Sequence, residues 1–335
     1  MIEIDGSYLE GGGQILRTAV SLSIIKQVPF RISKIRANRP KPGLQPQHLT
    51  AVNAAAKICN AKIKGNKLGS EELVFESGPI EAGDYFFDIG TAGSCVLFLQ
   101  TLLPVLVWAD RESKITVRGG THVIKSPSFE YFKYCFLPNI RKMGIRVEAE
   151  MRRPGFYPQG GGEVMIQVLP SRPRKCEFTE PGAHKNTSAY LVSANLPMHI
   201  LDREENILRE NLAGPLSLVK NSISNNTSTG NAITIIGEYE NYCIGADGLG
   251  QKGKPAEAVA KEVVSSYKSE EAGGAPDSHM VDQLLLYLAL AGRGNIKYGE
   301  LTQHSRTNIY TISKIWGEGS SLVVNEERKQ IYFEG

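Results

Sequence analysis

The feature that most constrains the fold is a weak internal repeat. Three times along the chain a turn of small or polar residues opens an apolar helix, at 11–13, at 90–93 and at Ser278. Each helix leads into a strand, a polar bend, a second helix and closing strands. Such self-similarity is typical of a structure built from repeated units, although any α/β chain shows some alternation of this kind. We predict a mixed α/β (α+β) fold in which three helix–strand–helix–hairpin units form one large domain.

The three copies are predicted to have their elements in the same order. The first has helix 14–25, strand 29–35, bend 36–43, helix 47–58 and strand 72–76. The second has helix 94–107, strand 114–117, bend 119–125, helix 129–143 and strands 145–150 and 163–168. The third has helix 281–290, strand 295–298, bend 301–306, helix 308–316 and strands 321–325 and 330–333. Chemically distinctive side chains recur at two places in a copy, the start of its first helix and its bend.

A separate segment, 178–274, lies between the second and third copies. Prolines precede it and a Glu-Glu-Ala-Gly-Gly run ends it, which is typical of a domain boundary. It has its own signals for strands 188–194 and 232–238 and helices 202–212 and 255–267, and the glycine-rich 245–254 is predicted to be a loop. We therefore predict a core of residues 1–177 and 275–335 with a small inserted α/β domain at 178–274.

Composition excludes several classes of protein. The five cysteines are odd in number and widely spaced, without a CxxC pair, so neither a disulfide framework nor a zinc site is indicated. No apolar run reaches the ~20 residues that a membrane span needs, and no secretory signal is recognised. We expect a soluble cytoplasmic protein with no membrane partner. A net charge of +3 does not by itself indicate nucleic-acid binding, and homo-oligomer formation stays open.

The segment 5–17 combines an acid, three glycines and the start of a helix. Glycines allow close approach of a ligand, and a helix N-terminus offers free N–H groups to phosphate. Gln14, Arg17 and Ser21 share one face at helical spacing. A phosphate or nucleotide site fits this segment, and so does a plain strand-to-helix turn.

The first bend carries Arg36, Arg39 and Lys41 among prolines. Proline stiffens the bend, and arginine can hold a phosphate group through paired hydrogen bonds. The bend is therefore either an anion clamp or a solvated basic loop.

Two further polar residues stand out in the later copies. Gln100 is the polar exception in an apolar helix, and a buried amide needs a partner from the core or from a ligand. His304 lies in the third bend, and histidine is substantially neutral, and so nucleophilic, near pH 7. A lone histidine is usually structural, and only its position in the repeat distinguishes His304. His122, in the second bend, is expected at the surface.

Together these segments resemble the RNA 3′-terminal phosphate cyclases over nearly the whole chain. The matching stretches are DGSYLEGGGQILR (5–17), RANRPKPGLQPQHLTAV (36–52), GTAGSCVLFLQ (90–100), GFYPQGGG (155–162), DQLL (282–285) and HSRTNI (304–309). The resemblance implies three repeated units like the C-terminal domain of a bacterial initiation factor, with an inserted domain before the third.

The resemblance also implies an enzyme that uses ATP, a divalent cation (Mg²⁺ or Mn²⁺) and RNA with a 3′-phosphate end. It implies that His304 is the nucleophile that becomes adenylated and that Glu10 is a metal ligand. The phosphate-side groups would be Arg17, Arg39 and Gln47, and the nucleotide pocket would include Gln100, His279, Asp282 and Gln283. The family often has tyrosine at the position of His279, so stacking of this side chain on adenine stays open.

Two other functions stay open at this point. An enolpyruvyl transferase is also built of repeated α/β units and would need no ATP. A non-catalytic branch related to the cyclases acts in ribosome assembly and lacks the catalytic histidine, so the presence of His304 argues against it. The expected reaction has three steps: AMP is attached to His304, transferred to the RNA 3′-phosphate, and expelled by the neighbouring 2′-hydroxyl to leave a 2′,3′-cyclic phosphate.

Overall fold

A four-stranded sheet with two helices forms the first unit of the computed structural model, which describes residues 1–317 and 322–334. Its elements are β1 (Ile2–Asp5), α1 (Gly13–Lys26), β2 (Phe30–Ser33), α2 (Pro46–Cys59), β3 (Lys62–Lys64) and β4 (Leu73–Glu76). The sheet order is β1-β2-β4-β3, with β1 parallel to β2 and β4 antiparallel to both of its neighbours.

The second unit repeats this topology. Its elements are β5 (Asp84–Asp88), α3 (Cys95–Leu106), β6 (Ser113–Gly119), α4 (Phe129–Tyr131), a π-helical segment (Phe132–Phe136), α5 (Leu137–Lys142), β7 (Arg146–Arg153) and β8 (Gly162–Leu169). The sheet order is β5-β6-β8-β7, again with the first two strands parallel. Ser94 begins α3 by accepting a hydrogen bond from the backbone N–H of Leu97 at 3.1 Å, as N-cap serines do.

A further sheet with two helices follows the short strand β9 (Glu177–Phe178). Its elements are β10 (His184–Ala194), α6 (His199–Asn211), β11 (Leu216–Ile223), β12 (Gly230–Tyr239), β13 (Cys243–Leu249) and α7 (Ala256–Ala272), in the sheet order β11-β10-β12-β13. The predicted loop 245–254 was wrong over its first half, which forms β13. Gly245 is needed there for close packing, because a Cβ atom would lie 2.9 Å from the ring of Tyr131.

The third unit uses β9 as its first strand. Its other elements are α8 (Ser278–Ala291), β14 (Arg293–Lys297), α9 (Gln303–Trp316), β15 (Leu322–Asn325) and β16 (Gln330–Glu334). The order β9-β14-β16-β15 matches that of the other two units, with β9 parallel to β14. The first residue of the predicted strand 321–325 lies outside the described residues.

The predicted α/β fold is confirmed, and the structure adds an initial strand to each unit and the short β3 to the first unit. β1, β5 and β9 precede the first helix of their units and were not predicted, because they are short, and β9 has only two residues. Phe178, placed in the insert by the sequence, pairs with Ile296 of β14. The division into a core and an inserted domain stays a prediction.

A second correction concerns the start of α9. The sequence predicted a bend at 301–306 and a helix from residue 308, but the helix begins at Gln303. Thr302 is the reason, since its hydroxyl accepts a hydrogen bond from the backbone N–H of Ser305 at 3.1 Å. His304 therefore lies in the first turn of a helix.

Helix α1 occupies the centre of the core, where it packs against α2, α3 and α9. Its apolar side is fully buried, as Ile15, Ala19 and Leu22 show. This packing brings the N-terminal end of α1 next to elements of all three units. Within 1–317 and 322–334, no helix is long and apolar enough to cross a membrane.

Candidate active site

A chain of hydrogen bonds joins the first and third units around Gln14. The side-chain Nε2 of Gln14 donates to Asp282 Oδ2 at 2.7 Å, and its Oε1 lies 2.8 Å from His304 Nδ1. A carboxylate only accepts, so the bond to Asp282 fixes which end of the Gln14 amide faces His304. The Gln14 oxygen therefore accepts the proton of Nδ1.

This arrangement selects one tautomer of His304. Glu10 Oε2 also lies 2.7 Å from His304 Nδ1, although that oxygen has no partner with hydrogen-bond geometry. Both groups facing Nδ1 are acceptors, so the neutral ring carries its proton there and keeps its lone pair on Nε2. The side chain of His304 is 48% exposed, so a substrate can reach it.

The ionisation of His304 also favours the neutral ring. Partial burial lowers its pKa, the charge of Asp282 raises it, and the charges of Arg17 and Arg39 lower it again. The net direction is downward. Burial raises the pKa of Asp282, while the nearby histidines His304 and His279 lower it.

Glu10 is held against the first bend by an ion pair with Arg39. Space beside this pair is tight, because a Cβ atom at Gly12 would lie 2.9 Å from both Arg39 Nη2 and Glu10 Oε1, the ends of two flexible side chains. A Cβ atom at Gly13 would collide with His48. The glycines of the first turn thus let charged side chains close over the backbone at the start of α1.

Arg17 and Gln47 lie on facing helices behind this turn. Both line one pocket with His48, and Arg17 also lines a second pocket, between α1, α3 and α8, together with Gln100, Asp282 and Gln283. Burial lowers the pKa of Arg17 to about 10, so the guanidinium stays charged at neutral pH. Gln47 Oε1 accepts a hydrogen bond from the backbone N–H of Ser94 at 2.8 Å, which ties α2 to the turn before α3.

The remaining predicted residues lie on α3 and α8. Gln100 Nε2 donates to Gln283 Oε1 at 2.7 Å, so another side chain of the protein satisfies the half-buried Gln100. Gln283 Nε2 in turn donates to the backbone oxygen of His279 at 2.9 Å, and the His279 side chain is exposed in the first turn of α8.

Some site features were missed or misjudged from the sequence. Gln14 was noted only as sharing a face with Arg17, and the helical spacing of these two residues was the available signal for its role. The side chain of Arg36 donates to the backbone oxygens of Lys41 and Gly43, so it supports the bend itself. His122 is fully buried and lies 2.6 Å from Glu130 Oε2, so the expectation of a surface histidine was wrong.

The groups that meet at this cleft define a class of protein. An accessible neutral imidazole, a carboxylate and two guanidinium groups are what enzymes of phosphoryl and nucleotidyl transfer use. The family model of the RNA 3′-terminal phosphate cyclases matches residues 8–320, and the chain belongs to this family.

Curated relatives agree with this assignment over nearly the full chain. An RNA 3′-terminal phosphate cyclase of Sulfurisphaera tokodaii is 46% identical over 320 residues, which are 94% of each protein. One of Caldivirga maquilingensis is 42% identical, over 98% of this chain and 96% of its own length. One of Archaeoglobus fulgidus is 40% identical, over 97% of this chain and 100% of its own length. The chain is thus similar throughout to enzymes of one activity.

Proposed function

We propose that this enzyme uses ATP to convert an RNA 3′-terminal phosphate into a 2′,3′-cyclic phosphate, through AMP bound covalently to His304. The observation that carries the proposal is the position of His304. Its Nδ1 is held by Gln14 and faces Glu10, which leaves Nε2 as the free nucleophile at an accessible place beside two arginines.

In the first step, His304 Nε2 attacks the α-phosphorus of ATP. A nitrogen–phosphorus bond forms while the bond to the α,β-bridging oxygen breaks, and pyrophosphate leaves with the bonding electrons. Arg17 and Arg39 offset the charge that develops on the phosphate oxygens. We assign Gln47 to the same phosphates and Gln100, His279, Asp282 and Gln283 to the nucleoside side of the cleft.

In the second step, an oxygen of the RNA 3′-phosphate attacks the phosphorus of the bound AMP. The nitrogen–phosphorus bond breaks, so His304 is restored and the RNA end becomes a mixed anhydride with AMP. In the third step, the neighbouring 2′-hydroxyl attacks the RNA phosphorus, loses its proton and expels AMP. Nucleophile and phosphate share one ribose, so little entropy is lost in reaching the cyclic product.

Glu10 is the residue that we assign to a divalent cation. Its Oε2 atom is buried and makes no hydrogen bond, although it lies 2.7 Å from His304 Nδ1, so this oxygen keeps lone pairs for a ligand. No cluster of three or more His, Cys, Asp or Glu side chains suited to a metal occurs in the described parts of the chain. A single carboxylate such as that of Glu10 fits Mg²⁺ or Mn²⁺, which are often bound by one or two carboxylates together with substrate phosphates. Such a cation supplies charge stabilisation to phosphate oxygens.

We also propose a cytoplasmic location. All five cysteines are free, and four of them are buried. Unpaired thiols are typical of proteins in a reducing compartment.

Labelling with ATP tests the proposed intermediate. The protein should take up label from ATP carrying it in the α-phosphate and take up none from γ-labelled ATP. A phosphoramidate is labile to acid and stable to base, so acid should release the label. His304→Ala should abolish labelling, while exchange of the exposed His199 for Ala should leave it intact. Label that persists in His304→Ala, or that resists acid, contradicts the assignment of His304. Absence of any label in the wild type would favour a non-catalytic RNA-binding role.

Three RNA ends test the later steps. An oligonucleotide with a ribose 3′-phosphate should yield the cyclic phosphate and AMP. One ending in 2′-deoxyribose 3′-phosphate should accept AMP and stop there, because it lacks the internal nucleophile. One with a 3′-hydroxyl should not react by this route. Chromatography of the products decides the question, and cyclisation without ATP would refute the scheme.

A further inference from the structure

Two stacked tyrosines lie at the surface beside the candidate active site. The rings of Tyr8 and Tyr310 are 4.0 Å apart between centroids and inclined by 16°. Tyr8 is 41% exposed although its ring is covered by Tyr310. Tyr310 is held in place because its hydroxyl accepts a hydrogen bond from the backbone N–H of Asp5 at 3.2 Å. The aromatic surface of Tyr8 is thus both accessible and rigidly backed.

The position of Tyr8 relates it directly to the reaction centre. Tyr8 precedes Glu10 by two residues, and Tyr310 follows His304 by six residues in the same helix. Glu10 Oε2 lies 2.7 Å from His304 Nδ1. The Cα atoms of Tyr8 and Glu10 are at most about 7.6 Å apart, since consecutive Cα atoms are about 3.8 Å apart. A nucleotide whose phosphate reaches His304 can therefore place its base near Tyr8.

Leu9 extends the exposed apolar surface in an unusual backbone conformation. It has φ +49°, in the left-handed region that non-glycine residues seldom adopt, and it is 44% exposed. Asn38 holds this turn, since its side chain donates to the backbone oxygens of Ser7 and Leu9 at 2.9 and 3.0 Å. Residues in such strained backbone conformations cluster at active sites and ligand-binding segments.

The same contacts join the aromatic surface to the basic bend 36–43. Asn38 belongs to that bend, and the next residue, Arg39, pairs with Glu10. The exposed Lys41 lies in the same bend, and Lys34 lies just before it, 3.3 Å from Asp5. Aromatic side chains bordered by cations are the usual platform for single-stranded nucleic acid, whose bases stack while its phosphates meet positive charge.

We propose that Tyr8, backed by Tyr310, is the platform on which the 3′-terminal base of the RNA stacks, with the bend 36–43 holding the adjoining phosphates. This inference rests on the proposed function, because it takes an RNA end as the substrate. Stacking accepts any base, so the platform would hold RNA ends of any sequence.

The test compares two RNA oligonucleotides that end in 3′-phosphate and differ only in the last nucleotide, which is normal in one and lacks its base in the other. Binding to the full chain is measured by fluorescence anisotropy without ATP, so that no turnover occurs. Wild type should bind the normal RNA about tenfold more tightly than the abasic RNA, the scale of one stacked base. Tyr8→Ala should lose this preference, and Tyr8→Trp should keep it.

A matched control is Phe86→Ala, which removes an exposed aromatic ring that packs on Arg118 in the second unit. It should bind both oligonucleotides as wild type does. Equal affinity of wild type for the two oligonucleotides would overturn the platform, and this result needs no variant to fold. An equal loss of both affinities in Tyr8→Ala would also overturn it. The proposed function fails separately, through absence of ATP labelling in wild type.

Discussion

Gln14 is buried in the first turn of α1, where its amide contacts two polar side chains of the third unit. One end donates to Asp282 and the other faces Nδ1 of His304. The backbone of Asp282 is fixed in turn, since its oxygen accepts a hydrogen bond from Asn308 Nδ2 at 2.6 Å. The orientation and tautomer of His304 therefore depend on a residue that takes no part in bond making.

Gln14→Ala should slow AMP transfer to His304 by about a hundredfold, the scale of a misplaced reacting group. The imidazole would lose the acceptor that holds its Nδ1 proton, and Asp282 would lose its hydrogen-bond donor. Single-turnover labelling with α-labelled ATP measures the rate. Gln167→Ala is the control, because Gln167 bonds to Glu112 at the surface. An unchanged rate in Gln14→Ala would show that His304 is positioned by other groups.

At the scale of elements, the packing of α2 against α1 leaves His48 half-buried, with the cations Arg17 and Arg36 near it. Burial lowers the pKa of His48 to about 3, and the charges of Arg17 and Arg36 contribute in the same direction. Its Nδ1 atom is buried without a hydrogen-bond partner. The contact between these helices therefore requires the imidazole to be neutral.

This contact should make stability depend on pH. The unfolded chain binds a proton at His48 near pH 6.5 and the folded chain does so only near pH 3, so stability is full above pH 6.5 and falls below it. Between pH 6.5 and pH 5 the loss from this residue is at most about 2 kcal/mol. Urea unfolding at several pH values should show a smaller loss in His48→Gln than in wild type.

The control for that experiment is His199→Gln, which removes an exposed histidine at the start of α6. Its pH dependence of unfolding should equal that of wild type. If His48→Gln also retained the full pH dependence, the acid sensitivity would originate elsewhere in the molecule.

At the scale of the whole molecule, the sheet β11-β10-β12-β13 is tied to the second unit by buried polar contacts. Asn139 of α5 donates to the backbone oxygen of Cys243 at 2.9 Å, and its Oδ1 accepts from the Cys243 N–H at 2.8 Å. Asp277 bridges the same region, since it accepts hydrogen bonds from the Tyr131 hydroxyl and the Gly245 N–H. Burial raises the pKa of Asp277 to about 6.

Asn139→Ala should lower the free energy of unfolding by about 2–4 kcal/mol, because two buried backbone groups lose their partners. Urea denaturation followed by tryptophan fluorescence measures the change. Asn221→Ala, at an exposed position of β11, should have almost no effect. Wild-type-like stability of Asn139→Ala would mean that water replaces the amide and that the contact contributes little.

Patterns along the sequence were sufficient for most helices and for the order of the elements in each repeat, except its first strand. Apolar periodicity predicted α1 as 14–25 and α2 as 47–58, within one residue of the observed ends at each side. Such patterns arise because each element buries one side against a common core, so neighbours along the chain carry the information. The family could be recognised for a similar reason, since its characteristic stretches are continuous in the sequence.

Only the tertiary structure decided which side chains meet. His304 and Gln14 are 290 positions apart in the sequence, and Gln14 and Asp282 are 268 apart. Strand β9 also depends on the tertiary structure, because its two residues form a strand only where β14 lies beside them. The burial of His122 depends on it as well, because Glu130 and Phe156 cover the ring. Periodicity reports whether a residue faces the core or the solvent. The partner, the tautomer and the pKa depend on distances between units, which are set when α1 packs against the other helices.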